Sequence, residues 1–420
     1  MNAPTSATRR RILAVTILGM TLVTGYSLAE PQLAVPKHAA QRHRPDPYRA
    51  QVSAPGSRFG SPLPGLTAEQ ITAFAAGLDE FQNKETAAGG LGPIFNNSAC
   101  AACHSKPAIG GSSNIVVTRF GHGTNGQFDP LANIGGSLLQ DKAIAPGALE
   151  VIPSQATVVA HRQSTALFGL GLIEAIPDET ILQNAARSQH DGLHGLPSMV
   201  ADETTGATRV GRFGWKGQHA TLLAFAGDAY LNEMGITNRF FPTENAPNGD
   251  RVRLARYDRV TDPEDTVDPQ TGRSDIDAVA DFMRLLAPPP TRQPSAAAQM
   301  GGMLFSSVGC SGCHTQRMQT GPNAVAALDR KGVNLYSDLL LHDMGSLGDG
   351  IVQGMALGSD IKTPPLWGVR TSAPYLHDGR AATLDAAIRA HDGEARRARD
   401  SYLHLQEVQR QQVLAFLDSI

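Results

Sequence analysis

The sequence predicts a mostly α fold made of two tandem units of one design, with long irregular insertions. Three observations predict it. The four cysteines of the 420-residue chain fall into two runs of identical pattern, Cys100-Ala-Ala-Cys103-His104 and Cys310-Ser-Gly-Cys313-His314. An amphipathic helical pattern precedes each run, and another closes each unit. Finally, 43 glycines, 27 prolines and only 18% charged residues leave long stretches with no helical period.

The Cys-x-x-Cys-His run is the attachment motif of haem c, in which two thiols bond the porphyrin edge and the histidine ligates iron. A zinc site would need four ligands, and no further cysteine exists to complete either one. A redox Cys-x-x-Cys pair has no need of a trailing histidine. The expectation is therefore two covalently bound haem c groups, with His104 and His314 on the irons. With all four cysteines committed, no disulfide is available. A net charge of -3 offers no basic surface for nucleic acid or an anionic membrane.

Residues 1–29 read as an export signal. Arg9, Arg10 and Arg11 form its basic region, Ile12 to Val23 its apolar region and Ser27-Leu28-Ala29 its cleavage site. The apolar run is broken by Thr16, Thr21 and Thr24 and falls short of the ~20 residues that span a bilayer, so no stable membrane span is expected after cleavage. Haem c is attached outside the cytoplasm, which agrees with a periplasmic location. Residues 30–66 carry seven prolines and little periodicity, and read as a disordered leader or one draped over the surface. His38 and His43 lie there and read as solvated.

The spacing predicts a first helix over 67–86. Thr67 and Gln70 form a capping box, and Ile71, Phe74, Ala75, Leu78 and Phe81 share a face. The glycine-rich segment 105–175 reads as mostly irregular. A helix starts at Pro177-Asp178-Glu179 and runs to about Arg187. Another runs from Ser274 through Leu286, with Ile276, Val279, Ala280 and Met283 inward, until Pro288-Pro289-Pro290 stops it. That proline run sets the boundary between an N-terminal unit, 67–287, and a C-terminal unit, 291–420. In the second unit a helix over 295–308 presents Met300, Leu304 and Phe305. A terminal helix over 405–420 presents Val408, Leu414 and Leu417. Two helices packed together beside a haem motif are the class I cytochrome c arrangement. Its repetition implies an internal duplication.

A haem whose sixth position is filled transfers electrons, and one left open admits peroxide or oxygen. For most remaining histidines a surface or polar role is the better reading. His190 and His194 stand four apart, but Gly192 and Gly195 argue for a loop there. For the second iron, spacing leaves Met344, Met355, His342, His377 and His391 open.

Longer motifs carry a resemblance. Thr363-Pro-Pro-Leu-Trp-Gly-Val369, Pro374-Tyr-Leu-His-Asp-Gly-Arg380, Thr383-Leu384 and His391 resemble the C-terminal signature of bacterial dihaem peroxidases. Phe168 through Pro177, Gly211 through Lys216 and Phe225 through Asn238 are similar to the same group. The likeness spans about 67–420 and is greatest to the dihaem oxidoreductases (thiol oxidoreductase-like). The dihaem cytochrome c peroxidases, the enzyme that matures methylamine dehydrogenase and the rubber oxygenases are wider relatives.

The resemblance implies site roles. It places the sixth ligand of the second haem at His391, eight residues after Thr383. It offers His122 as a ligand of the first haem, or else leaves that iron open, which is the favoured expectation. Glu233, within Asn232-Glu233-Met234-Gly235, matches the family's acid/base glutamate. Trp215 matches the tryptophan between the haems, although Trp-Lys-Gly-Gln departs from the peroxidases' Trp-Asp-Gly-Arg. Tyr230 falls at a distal aromatic position, and Arg212 and Lys216 are placed to pair with haem propionates. Calcium is implied through the carbonyls of Ser372 and Pro374.

The activity these roles imply is peroxidase-like. Hydrogen peroxide, or oxygen, would react at the first haem with electrons relayed through the second. The donor would be a small periplasmic protein, a cytochrome c or cupredoxin. The rivals are a pure electron carrier and an oxygenase or protein-modifying oxidase.

Overall fold

The computed structural model describes residues 58–124, 126–190 and 193–420. The expected export signal and most of the proline-rich leader lie outside the described residues. Helix α1 (Ala68–Gln82) begins at the expected cap. The Thr67 side chain accepts from the Gln70 amide, and the Gln70 side chain accepts from the Thr67 amide at 2.9 Å. The end of the leader is not loose. Leu63 N–H donates to the Leu285 carbonyl at 2.8 Å and Ala287 N–H to Ser61, and residues 61–63 are buried.

The stretch 105–175 is less irregular than its glycines suggest. Strand β1 (Val116–Thr124) pairs antiparallel with β2 (Gln127–Asp129), β3 (Leu138–Leu139) and β4 (Val158–Gln163). Gly121 weakens the strand pattern in the sequence, yet a Cβ there would meet the Phe128 ring at 2.3 Å. The glycine makes room for a cross-strand aromatic.

A short helix α2 (Leu170–Glu174) and α3 (Asp178–His190) follow, then the hairpin β5 (Ser198–Ala201) and β6 (Thr208–Gly211). Next come α4 (Leu222–Met234), α5 (Arg251–Tyr257) and α6 (Asp275–Leu285), the last opened by a Ser274–Asp277 capping box. The remainder holds α7 (Ala296–Ser307), β7 (Leu341–Asp343) paired with β8 (Asp360–Lys362), α8 (Leu384–Ala390), α9 (Arg396–Leu403) and α10 (Glu407–Ser419). Among the described residues no helix is long and apolar enough to cross a membrane.

One helix-pair geometry occurs twice. α1 packs on α6 and α7 packs on α10. At the first crossing a Cβ on Gly77 would lie 2.2 Å from the Ala278 carbonyl and 2.9 Å from the Phe282 Cβ. At the second, a Cβ on Gly301 would lie 1.9 Å from the Gln412 carbonyl and 3.0 Å from the Phe416 Cβ. Each glycine thus lets the helices meet backbone to side chain. One turn further on, Phe81 meets Phe282 with ring centroids 4.8 Å apart, and Phe305 meets Phe416 at 5.2 Å.

Two expected core residues face outward. Met300 is 46% exposed and Val408 60%, while Phe305, Val413 and Leu417 are buried. The contact face of α7 is centred on Gly301, so its stripe sits one residue away from the one that apolar side chains alone suggest.

The main core gathers α1, α2, α3, α4 and α6 together with residues 318–340, so it crosses the proline boundary. A smaller cluster holds Phe305, Tyr336, Tyr402, Val413, Leu417 and Ile420. A buried ion triad also joins the two halves. Asp349 takes Arg162 Nε at 2.7 Å on one oxygen and Lys216 Nζ at 3.1 Å on the other, with all three side chains almost wholly enclosed. The two cations share one carboxylate and donate further to neutral oxygens, Lys216 to the Leu357 carbonyl and Arg162 to Gln353.

Candidate functional site

Each Cys-x-x-Cys-His run forms a single helical turn beside one of these helix pairs. His104 Nδ1 donates to the Gly111 carbonyl at 3.1 Å, and His314 Nδ1 donates to the Tyr336 carbonyl at 3.0 Å. A carbonyl only accepts, so both rings carry their proton on Nδ1 and keep the Nε2 lone pair for a metal. Phe81 tilts over His104 with centroids 6.1 Å apart, and Phe305 over His314 at 6.2 Å. Burial lowers the pKa of His104, and burial together with nearby His391 pushes His314 down to about 4. Both imidazoles are neutral near pH 7, as ligation requires. Both thiols of each run are unpaired. Two thiols and a neutral, oriented imidazole fit a haem c seat in each half.

The second seat opens into a cavity of about 610 Å³ lined by Cys310, Cys313, His314, Trp215, Met344 and His391, among others. Of the five residues that spacing left open, Met355 is 55% exposed. His342 is held by Asp338 at 2.8 Å and by Glu394 at 2.9 Å, which occupies both ring nitrogens. His377 packs edge-on against Trp215 at 6.2 Å. His391 donates Nδ1–H to the Ala387 carbonyl at 2.8 Å, which leaves Nε2 as its lone-pair nitrogen. Among neighbouring charges, His391 acts most strongly on His314. Met344 and His377 also line the cavity, so His391, Met344 and His377 keep a donor atom available there, and of these His391 is the one whose charge acts on His314.

Glu233 closes α4 beside the first motif. Its carbonyl accepts from the Asn96 and Asn97 amides at 2.8 and 3.1 Å, and its carboxyl accepts from Asn96 Nδ2 at 2.9 Å. Burial raises the Glu233 pKa, and its charge in turn raises that of the Cys103 thiol behind the larger effect of burial. Tyr230, one turn earlier, is buried and donates its hydroxyl to Glu80 at 3.1 Å. Burial lifts its pKa well above the usual phenol value, so it stays a neutral phenol.

A short path of hydrogen bonds runs from Trp215 to the first motif. Trp215 lines the second cavity, and its indole N–H donates to the Gln163 carbonyl at 2.8 Å. The next residue, Ser164, donates its hydroxyl to the Cys103 carbonyl of the first motif at 2.7 Å.

Other expected site residues are occupied elsewhere. His122 Nδ1 meets the Gln155 carbonyl at 2.8 Å and its Nε2 meets Thr124 Oγ1 at 2.7 Å, so neither nitrogen is left for iron. Arg212 is bound to Asp178 and to the Ile176 carbonyl, where its guanidinium caps the chain leaving α2. Lys216 belongs to the Asp349 triad. Neither cation is a free partner for a propionate, because each is already paired with a carboxylate. Ser372 and Pro374 line the second cavity.

Sequence reading missed Lys362. It is 6% exposed, lines the second cavity and has no ion pair among the described residues. Burial pushes it down to about 8. Its place in β8, opposite Leu341, fixes it there. The Asn96-Asn97 pair was missed as well, although it stands just ahead of the first motif.

A family model described as "Di-haem oxidoreductase, putative peroxidase" matches residues 151–420. No curated protein matches. Among solved structures, hydrazine synthase of Kuenenia stuttgartiensis is similar at 14% identity and a TM-score of 0.39, over 98% of this chain and 100% of that one. A MauG-like protein associated with microbial copper homeostasis is similar at 16% identity and a TM-score of 0.37, over 86% and 93%. The diheme peroxidase BthA of Burkholderia thailandensis matches at 14% identity and a TM-score of 0.38, over 83% and 85%.

Proposed function

This chain belongs to the di-haem oxidoreductase family, and from that premise we propose that it is an exported, periplasmic enzyme of peroxidase type with two covalently bound haem c groups. The first would be held by Cys100, Cys103 and His104, and the second by Cys310, Cys313 and His314. His391 would be a second protein ligand of the second haem, while the first would have His104 alone. When bound, haem iron supplies one-electron chemistry. The net reaction is reduction of hydrogen peroxide to two waters by two electrons and two protons.

The residues divide the work. Glu233 accepts a proton from the nearer peroxide oxygen and returns it to the departing one, a task suited to a carboxyl of raised pKa. Tyr230 remains a neutral hydrogen-bond donor on the same helix. Trp215 provides the aromatic step between the seats. Lys362 is the cation for a propionate of the second haem, and the Ser372 and Pro374 carbonyls are a seat for calcium. A small cytochrome c or cupredoxin would deliver electrons at the second haem.

The observation that carries this reading is an asymmetry. His314 has His391 in its own cavity with a lone-pair nitrogen available, whereas His122 has both nitrogens engaged away from the first motif. Electron paramagnetic resonance of the fully ferric protein tests it, paired with peroxide turnover against a reduced cytochrome. A high-spin and a low-spin signal with turnover are expected. Two low-spin signals without turnover would leave an electron carrier. Oxygen uptake with an organic substrate, and no peroxide turnover, would leave an oxygenase.

A further inference from the structure

Away from both motifs, three carboxylates converge where the chain leaves α4. Their oxygens on Glu244, Asp262 and Glu264 all lie within 4.8 Å of one another. Glu244 is only 3% exposed, and neither of its carboxylate oxygens has a hydrogen-bond partner. Among the described residues no lysine or arginine pairs with any of the three. A buried, unpartnered carboxylate facing two others is a costly arrangement unless a cation sits among them or a proton is taken up. Burial first, then Glu264, Asp262 and Asp258, push Glu244 up to about 9.

The donors are all hard oxygens, with no nitrogen or sulfur, which favours calcium, magnesium or manganese over zinc or copper. Thr237 ties the group together. Its hydroxyl bonds both Asp262, at 2.7 Å, and Glu264, and its backbone N–H donates to Glu264 at 2.6 Å. Loop carboxylates of unequal exposure suit the irregular, larger shell of calcium better than the strict octahedron of magnesium.

We propose that Glu244, Asp262 and Glu264 bind a calcium ion that fastens the 258–265 loop to the turn after α4. This site is separate from the Ser372 and Pro374 carbonyls. Thr237 stands four residues beyond Glu233, so the ion steadies the turn that ends the acid/base helix. Glu264 also packs on Gly90, in the approach to the first motif, where a Cβ on the glycine would lie 2.6 Å from its own.

The test uses the haem-loaded protein stripped with EGTA and titrated with calcium chloride, read by calorimetry and thermal melting. Wild type is expected to bind one more calcium per chain than Glu244→Gln, and to melt higher when loaded. The isosteric Glu244→Gln removes the cost of taking up a proton there, so without calcium it should melt above stripped wild type. The exposed Asp262→Asn gives a second variant whose folding is not at risk. Equal calcium counts in wild type and both variants, zero included, would overturn the proposal. So would a magnesium-induced shift as large as the calcium shift.

Discussion

The side-chain amide of Asn96 donates to the carboxyl of Glu233 at 2.9 Å. That bond fixes the carboxyl beside the first motif, and burial raises its pKa. Glu233→Gln keeps an acceptor for Asn96 but cannot move a proton. Peroxide turnover should fall about 10²–10⁴-fold, the range usual for a lost general acid/base, with haem content unchanged. In wild type the carboxyl must first be ionised to accept a proton. Turnover should therefore rise with pH through an ionisation displaced above the ordinary carboxylate range, and that limb should vanish in the variant. Equal pH profiles would remove Glu233 from the mechanism.

His391 lines the cavity of His314 with Nε2 as its lone-pair nitrogen. His391→Ala should convert one low-spin ferric signal to high-spin and open the second iron to cyanide. An unchanged spectrum would transfer the ligand role to Met344, and Met344→Leu would then produce the same conversion.

Trp215→Phe retains a ring in the cavity wall but loses the bond to the Gln163 carbonyl. In stopped-flow measurements, electrons placed on the second haem should reach the first more slowly, while both ferric spectra stay as they were. A transfer rate equal to wild type would leave the indole with packing alone.

Gly301→Ala sets a methyl against the Gln412 carbonyl at the α7–α10 crossing. Overpacking of this kind costs roughly 1–3 kcal/mol, which chemical denaturation would detect. Gly77→Ala should behave alike at the α1–α6 crossing, and a neutral result at either glycine would mean that the helices slide apart freely.

His219 supplies a pH dependence of stability. Burial alone would lower its pKa, but Asp228 at 3.4 Å and Glu203 at 3.6 Å outweigh burial and raise it from 6.5 to about 9. A raised pKa means the imidazolium stabilises the fold fully below 6.5, and that contribution fades as pH climbs to 9. Unfolding free energy, read by chemical denaturation, should decline across that window with a slope of at most ~1.4 kcal/mol per pH unit. His219→Gln should flatten the decline.

Helices α1, α3, α6, α7 and α10 were legible because each announces itself locally, whereas α4, which carries Tyr230 and Glu233, was not read as a helix. The Thr67–Gln70 and Ser274–Asp277 boxes are spelled out within four residues, and both are made. The two haem motifs and the family signature were equally explicit. Contacts between distant residues were not. Arg162 and Asp349 stand 187 positions apart, so their pairing leaves no period to read. The β1–β4 sheet was hidden by Gly121, whose missing side chain serves Phe128. Lys362 looked like any lysine until β7 and β8 enclosed it. His122 had a plausible setting in the sequence, and only the positions of Gln155 and Thr124 assign its nitrogens.

On the electron route proposed past Trp215, the Arg162–Asp349–Lys216 triad bears on speed as well as cohesion. Electron tunnelling weakens steeply with separation, so a junction that breathes loses rate at every excursion. Arg162 precedes the Gln163 carbonyl that receives the Trp215 indole, and Lys216 follows that tryptophan. One carboxylate clamps the residues on either side of the crossing and holds its span constant. Exchange of Asp349 for asparagine would free two enclosed cations at that point, and hesitation in transfer should appear well before the protein unfolds.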